Sequence, residues 1–406
     1  MSDDIGPDEL AFCCALARQC FINEYVYVCG DEEAEKVEQM RNAFAADHDM
    51  PLLQIAVSAA YGSLGKLPSA QSLAARTWPE PIDKLFEQQV REPLEENRLA
   101  AALPRLTTIE DDVSRKVREQ YEENPYPRWI DMPGEVTRLG IEQYLRGNLP
   151  LARLSDVSNA ADVDILIAGC GTGQHSIEIA RQFSGARVLA VDISLSSLSY
   201  AKRKSTALGV ANIDYAHADI LELGALKRNF DLIESAGVLH HLADPMKGWR
   251  VLVSCLRPGG VMFVALYSEL ARQDIVAVRN FIAERAYGTS AGDIRRCRQE
   301  LMACAEGTPQ RNVTQSQDFF SASECRDLLF HAQEHRLTLP QIEAFLTENR
   351  LEFLGFEVDP HLRRRYAEAY PKDVAMIDLG CWHQFETANP HTFVGMYQFW
   401  VRKPRA

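Results

Sequence analysis

Residues 164–176 read DILIAGCGTGQHS: an apolar run, then Gly169, Gly171 and Gly173 at alternate positions, then polar residues. Backbone without side chains lets a ligand lie against it, and a helix opening after the last glycine turns its first N–H groups to the same place. A dinucleotide loop of the GxGxxG kind needs glycine at 174, where Gln174 stands instead. Asp192 closes RVLAVD about twenty residues on, where a carboxylate accepts hydrogen bonds from ribose hydroxyls. Asp219, in AHADI, follows the next apolar run, where a carboxylate accepts from the exocyclic amine of a purine.

Three other segments carry reactive side chains. His240 and His241 follow a fourth apolar run, and imidazole suits a general base at neutral pH, although a histidine near a helix start also serves purely structural ends. In QYEENPYPRW (120–129), Val113, Val117 and Tyr121 predict a helix that Pro125 and Pro127 end. Tyr121, Tyr126 and Trp129 can offer ring faces to a cation or substrate, or staple an N-terminal domain onto the sheet; Arg128 can grip a carboxylate with two prongs. FHAQEHR (330–336) contains HxxEH, whose two imidazoles on one helix face could hold zinc only with a third ligand from a downstream helix. We read it as a polar helix, CRDLLFHAQEHR, with no metal, from which Arg326, His331 and His335 reach toward substrate.

These residues need a scaffold. VDILIA (163–168), RVLAVD (187–192), NIDYAH (212–217), FDLIES (230–235) and GVMFVAL (260–266) are strand-length runs separated by helix-length segments, which predicts a parallel sheet covered on both faces. LEFLGFEV (351–358) and TFVGMYQFWV (392–401) are two later strand candidates. Helical spacing of Leu10, Cys14, Ala17 and Phe21, and of Leu53, Ala56, Ala60 and Leu64, predicts an N-terminal helical domain, with a further helix from Ile82 to Leu94. The expected division is a helical domain over 1–108, a linker with the aromatic NPYPRW segment over 109–160, and an α/β domain over 161–406. Within that last domain a helical insertion of about 268–350 roofs the carboxyl ends of the strands.

Composition narrows the function classes. Of 406 residues, 46% are hydrophobic and 25% charged, and the net charge of −14 opposes nucleic acid as a partner. Arg295, Arg296 and Arg298, like Arg363, Arg364 and Arg365, read as solvated helix faces. No run approaches the ~20 apolar residues of a membrane span. The acidic start MSDDIGPDEL is unlike a secretory signal, and ten cysteines without a pairing pattern fit a reduced, cytoplasmic setting.

In order, ILIAGCGTG, AVDIS, AHADI, FDLIESAGVLHHL and LRPGG resemble the motifs of class I S-adenosylmethionine (SAM)-dependent methyltransferases. The resemblance implies a Rossmann-like seven-stranded sheet with an antiparallel last strand. It also implies SAM against Gly169, Cys170, Gly171, Thr172, Gly173 and Gln174, its ribose at Asp192 and Ile193, and its adenine at Ala218, Asp219 and Ile220. Ser235, Ala236 and Gly237 would complete the cofactor site. In much of the family an acid stands two residues before the first glycine, near the methionine end; here that position is Ile167. NPYP is not the NPPY-like motif of amide and base methylating enzymes, which follows strand four, where this chain reads SAGVLHH. QCFINEYVY, QYEENPYPRW, FSASECRDLLFHAQEHRLTLPQIEAFL and MYQFWV further resemble a bacterial methyltransferase group often fused to tetratricopeptide repeats. The expected activity is methyl transfer to a small molecule or a protein side chain. A non-catalytic module holding SAM or a partner is the alternative, favoured by Ile167; a nicotinamide enzyme is opposed by Gln174 and the Asp219 block.

Overall fold

The structure, a computed structural model, describes residues 6–46, 51–123, 125, 127–134, 136–154, 162–183 and 185–405. The chain divides into two compact units. Met1–Ala101, Pro127–Trp129 and Asp274–His331 form the first; Ala102–Tyr126, Ile130–Gln273 and Ala332–Ala406 form the second.

The second unit holds one sheet of β1 (Val163–Ala168), β2 (Ala186–Asp192), β3 (Ile213–His217), β4 (Phe230–Ala236), β5 (Leu256–Leu266), β6 (Glu352–Phe356) and β7 (Tyr397–Arg402). Its order is β3-β2-β1-β4-β5-β7-β6, with the first five strands parallel and β7 antiparallel to both neighbours. The expected seven-stranded sheet with an antiparallel final strand is therefore present. Alternation along β1 explains why its sequence is apolar after Asp164: Ile165 and Ile167 join Leu232, Ile179 and Phe183 on one face, while Leu166 and Ala168 join Ile233, Trp249 and Leu252 on the other. The strand order reverses between β1 and β4, and such a reversal opens a crevice at the carboxyl ends of the strands.

Two boundaries differ from the sequence expectation. β5 begins at Leu256 and takes in LRPGG, with an irregular register between Phe230 and Leu232; Gly259, at φ +81°, supplies the left-handed turn this needs. Only the end of TFVGMYQFWV is strand, because Pro390–Phe393 forms a 3₁₀ turn first. Pro104 and Leu106 exchange backbone hydrogen bonds with His217 at 2.9 Å each, covering the outer edge of β3.

In the first unit, helices Pro7–Ile22, Leu52–Tyr61 and Glu80–Phe86 bury Leu10, Cys14, Ala17, Ile55 and Phe86 together. The helix expected over Ile82 to Leu94 begins at Glu80, passes through a π turn at Glu87–Arg91 and continues as Glu92–Ala102. Helices Gln273–Glu284, Ala291–Ala303 and Ala322–Phe330 share a second core with Val26. Arg298 is buried there and donates to the carbonyls of Phe319 and Val26, each at 2.8 Å, and Arg295 donates to Tyr25 O at 2.7 Å. Those two arginines are thus ties between backbone segments, whereas Arg296, Arg364 and Arg365 are exposed as expected. Among the described residues no helix is long and apolar enough to cross a membrane.

At Gly260 an added Cβ would lie 2.9 Å from the carbonyl oxygens of both Asp231 and Arg257, rigid backbone on either side. Gly260→Ala is expected to cost about 1–3 kcal/mol by overpacking, read as a lowered urea midpoint with an unchanged slope.

Candidate functional site

The bend after β1 is fastened to the end of β2. Gly169 and Cys170 both donate N–H to Val191 O, at 2.8 and 3.0 Å, and Gly171 N–H donates to Asp192 Oδ2 at 2.8 Å. Asp192 Oδ1 accepts Ser194 N–H at 2.9 Å. Burial pushes the Asp192 carboxyl above its ordinary value, while the N–H groups of Ser194, Gly171 and Ile193 pull it back. Each carboxylate oxygen retains a second lone pair for a ligand hydroxyl.

The three glycines have φ of +86°, +51° and +86°. A Cβ at Gly169 would stand 2.3 Å from Val238 Cγ2, and one at Gly173 2.5 Å from Ala201 Cβ. The first and third glycines are therefore demanded by the protein's own packing as well as by backbone conformation. Gly173 precedes the helix Gln174–Gln182 and leaves its first turn without a side-chain cap. Thr172 is buried beneath the bend.

The other expected cofactor residues lie around the same strand ends. Ile193 O is 3.0 Å from His217 Nε2, and burial lowers the affinity of that imidazole for a proton. Asp219 is buried, caps Leu221 N–H at 2.9 Å, and has its own N–H on Thr107 Oγ1 at 2.8 Å, between buried Ala218 and Ile220. Ser235 Oγ donates to Ala168 O at 3.3 Å, and Gly237 N–H to Ala265 O at 3.3 Å, so Ser235–Gly237 runs beside the bend and delivers Val238 onto Gly169.

Sequence reasoning missed Glu122. From the end of the helix Asp112–Glu123 it accepts from Leu195 N–H at 2.5 Å and from Ser196 Oγ at 2.7 Å, capping the helix Leu195–Ala207; Ser194 Oγ meets Tyr121 O at 3.2 Å. The backbone of Tyr121 is thereby tied to Ser194, two residues past Asp192. Tyr126 lies outside the described residues.

The histidine pair stands at the ends of β4 and β5. His240 is fully buried and stacks on Tyr267 at 3.9 Å between ring centres. His241 Nδ1 is 2.8 Å from Gln333 O; a carbonyl only accepts, so Nδ1 carries the proton and Nε2 is the basic nitrogen of the neutral ring. The helix expected over CRDLLFHAQEHR ends at Phe330, and His331 turns to ψ 138°. Beyond it the chain runs extended because its backbone finds partners just past β4 and β5: His335 N–H on His240 O at 2.8 Å and Leu337 N–H on Tyr267 O at 2.9 Å. HxxEH therefore does not place two imidazoles on one helix face. Glu334 makes a buried two-pronged pair with Arg272, and Gln333 Nε2 lies 2.9 Å from His335 Nε2.

Arg128, Trp129, Arg326 and His331 belong to the first unit, not to the unit that carries the glycine bend. Arg128 lies 3.5 Å from Glu24 and over the Phe21 ring, Trp129 is buried, Arg326 is half-buried, and His331, also buried, accepts at its carbonyl from Arg279 at 2.7 Å.

Residues 165–260 match the family model described as a methyltransferase domain. Among curated proteins, an uncharacterised protein of Synechococcus sp. is 30% identical over 200 residues, 47% of this chain and 48% of its own. The ubiquinone biosynthesis O-methyltransferase of Parvibaculum lavamentivorans is 33% identical over 117 residues, 29% of this chain and 45% of its own. The chain thus spans about half the length of these curated relatives. Among solved structures, PKMT2 from Rickettsia typhi aligns with a TM-score of 0.50 at 15% identity, covering 67% of this chain and 55% of that one, a likeness of fold.

A buried charge sits behind the bend. Glu234 of β4 is hydrogen-bonded to His175 Nε2, with Glu178 Oε2 3.9 Å from the other ring nitrogen. Burial lowers the His175 pKa, but the Glu234 charge and hydrogen bond, helped by Glu178 and Glu357, outweigh it and leave the pKa raised. A raised imidazole contributes stability that is complete below the ordinary histidine value and lost as pH rises through the folded value. His175→Asn is therefore expected to lose more stability relative to the parent at about pH 6 than at about pH 9 in urea melts; equal losses at both would contradict the charged pair.

Proposed function

We propose that the chain is a SAM-dependent methyltransferase acting on a small molecule or a protein side chain. The observation that carries this reading is the glycine bend tied by Gly171 N–H to Asp192, at the reversal of a sheet whose residues 165–260 match a methyltransferase domain. The residues fit the cofactor chemically. Asp192 keeps acceptor capacity for ribose hydroxyls, Asp219 is a buried acceptor at the next strand tip, and the uncapped helix start after Gly173 suits a carboxylate. When bound, SAM supplies an electrophilic methyl carbon on a sulfonium. The chain's part is to hold an acceptor in line and free of water, and to take a proton from it where the acceptor is a hydroxyl or an ammonium. His241, with its proton on Nδ1, presents the tautomer such a base needs. His240, shut in against Tyr267, serves to place its neighbour.

The net charge of −14 supports an acceptor that is not a polyanion, and ten free cysteines support a reducing, cytoplasmic setting. Kinship with the bacterial group fused to tetratricopeptide repeats is part of the same proposal and rests on the long sequence blocks. A non-catalytic module was favoured by the missing acid at position 167; the buried Glu234 on the neighbouring strand weakens that alternative.

Calorimetry should detect SAM binding, and Asp192→Ala should weaken it by about 1–3 kcal/mol through lost charge-assisted hydrogen bonds. Methyl-labelled SAM incubated with protein and host extract, then fractionated by size, should yield a labelled product and tell a macromolecular acceptor from a small one. Tight binding with no product from any extract would favour the module. His241→Ala should slow turnover while leaving SAM affinity near that of the parent; intact turnover would remove the base.

A further inference from the structure

Ile167 stands where the resemblance leads one to expect an acid, and its register partner across the parallel ladder is Glu234 of β4. Residues paired in this way present side chains on the same face, and Ile167 and Leu232, two residues from Glu234, share one apolar cluster. The carboxylate absent from β1 is therefore present one strand over, on the same side of the sheet.

That carboxylate is unusually placed. Glu234 is 1% exposed, its Oε2 is engaged by His175, and its Oε1 has no hydrogen-bond partner among the described residues. A carboxyl oxygen buried without a hydrogen-bond partner is costly, so its retention calls for a partner supplied from outside. His175 is the second residue of the helix that opens after Gly173, and its side chain is 44% exposed, so the pair reaches from the buried strand to open space at the start of that helix. The local charge is unbalanced in the same sense. Glu357 belongs to this group of interacting charges, its Oε1 accepting from Trp400 Nε1 at 2.7 Å, and burial, then the Glu234 charge, push its carboxyl up. Glu234 and Glu178 thus flank one imidazole, and the Glu357 charge acts on it as well.

We propose that Glu234 supplies the counter-charge for the α-ammonium of the cofactor's amino-acid end, taking the place of the acid that Ile167 displaces, while the uncapped start of the helix Gln174–Gln182 receives the α-carboxylate. The ligand's two charges are then met by two features, a buried anion on β4 and the positive end of a short helix. His175 holds the carboxylate in place until the ammonium arrives and shares it afterwards. The inference rests on the methyltransferase reading, since it concerns which residue holds one end of SAM.

Two ligands separate the inference from its premise. S-adenosylhomocysteine carries the amino-acid end; 5′-methylthioadenosine shares the adenosine and thioether but lacks it. Calorimetry on the full chain should show the parent binding the first more tightly than the second. Glu234→Gln, which keeps shape and removes charge, should lose on the order of tenfold or more in affinity for S-adenosylhomocysteine while its affinity for methylthioadenosine stays within about twofold of the parent. Retained methylthioadenosine binding also reports that the variant is folded. Ile167→Asp placed in the Glu234→Gln background, returning the acid to β1, should recover part of the loss. Equal weakening of both ligands by Glu234→Gln, or none of either, overturns the inference while leaving the cofactor reading intact. A parent protein that binds neither compound overturns both. Should Glu234→Gln fail to fold, Glu234→Asp, which keeps the charge but draws it back by one methylene, is read by the same ratio, and an unchanged ratio there counts against the proposal.

Discussion

The site depends on how the chain leaves β1. Three successive N–H groups, those of Gly169, Cys170 and Gly171, are drawn to the end of β2, two by the Val191 carbonyl and one by the Asp192 carboxylate. Backbone donors in a tight bend must find acceptors, and here the neighbouring strand provides all three. Asp192 is consequently committed twice over, to the shape of the bend and to whatever lies on it. Positive φ at three alternate positions follows from the same turn, and the packing of Val238 and Ala201 against the first and third glycines closes it from both sides.

Parallel register explains how an expected charge can be moved without being lost. Ile167 and Glu234 are register partners on one side of the sheet, so exchanging their types between β1 and β4 keeps one acid on that face. The exchange has a consequence for the helix behind the bend. Glu234 needs a hydrogen-bond donor as soon as it is buried, and His175, the second residue of that helix, provides one. A helix start, a strand interior and a missing acid are thus one arrangement.

The strands were legible because each is short, apolar and buried on both faces, and helices at regular intervals left few ways to assemble them. VDILIA is β1 residue for residue, and the glycines, Asp192 and Asp219 stand at strand ends where their spacing put them. What escaped the sequence depended on partners far away in the chain. Arg298 looks like part of a solvated basic run until the carbonyls of Val26 and Phe319 are seen to surround it. Glu122 reads as one more acid in an acidic helix, yet it caps a helix more than seventy residues later. Glu234 sat in plain view inside an apolar run, FDLIES, and that was the available signal: an ionisable residue in the middle of a buried strand needs a partner, and none is adjacent in sequence.

The end of the helix at Phe330 shows how such distant partners decide chemistry as well as shape. Local spacing favours continuing the helix through His331 and His335, which would leave the carbonyls of His240 and Tyr267 without the N–H groups they now receive. Extending the chain instead satisfies them, and the buried Arg272–Glu334 pair, with Arg272 3.5 Å above the Tyr267 ring, holds the extended segment in register. Gln333 is carried along, and its carbonyl fixes the proton of His241 on Nδ1. The basic nitrogen of that ring is therefore chosen by main-chain hydrogen bonding some ninety residues downstream, and a change that restored the helix would remove the tautomer along with the strand-like pairing.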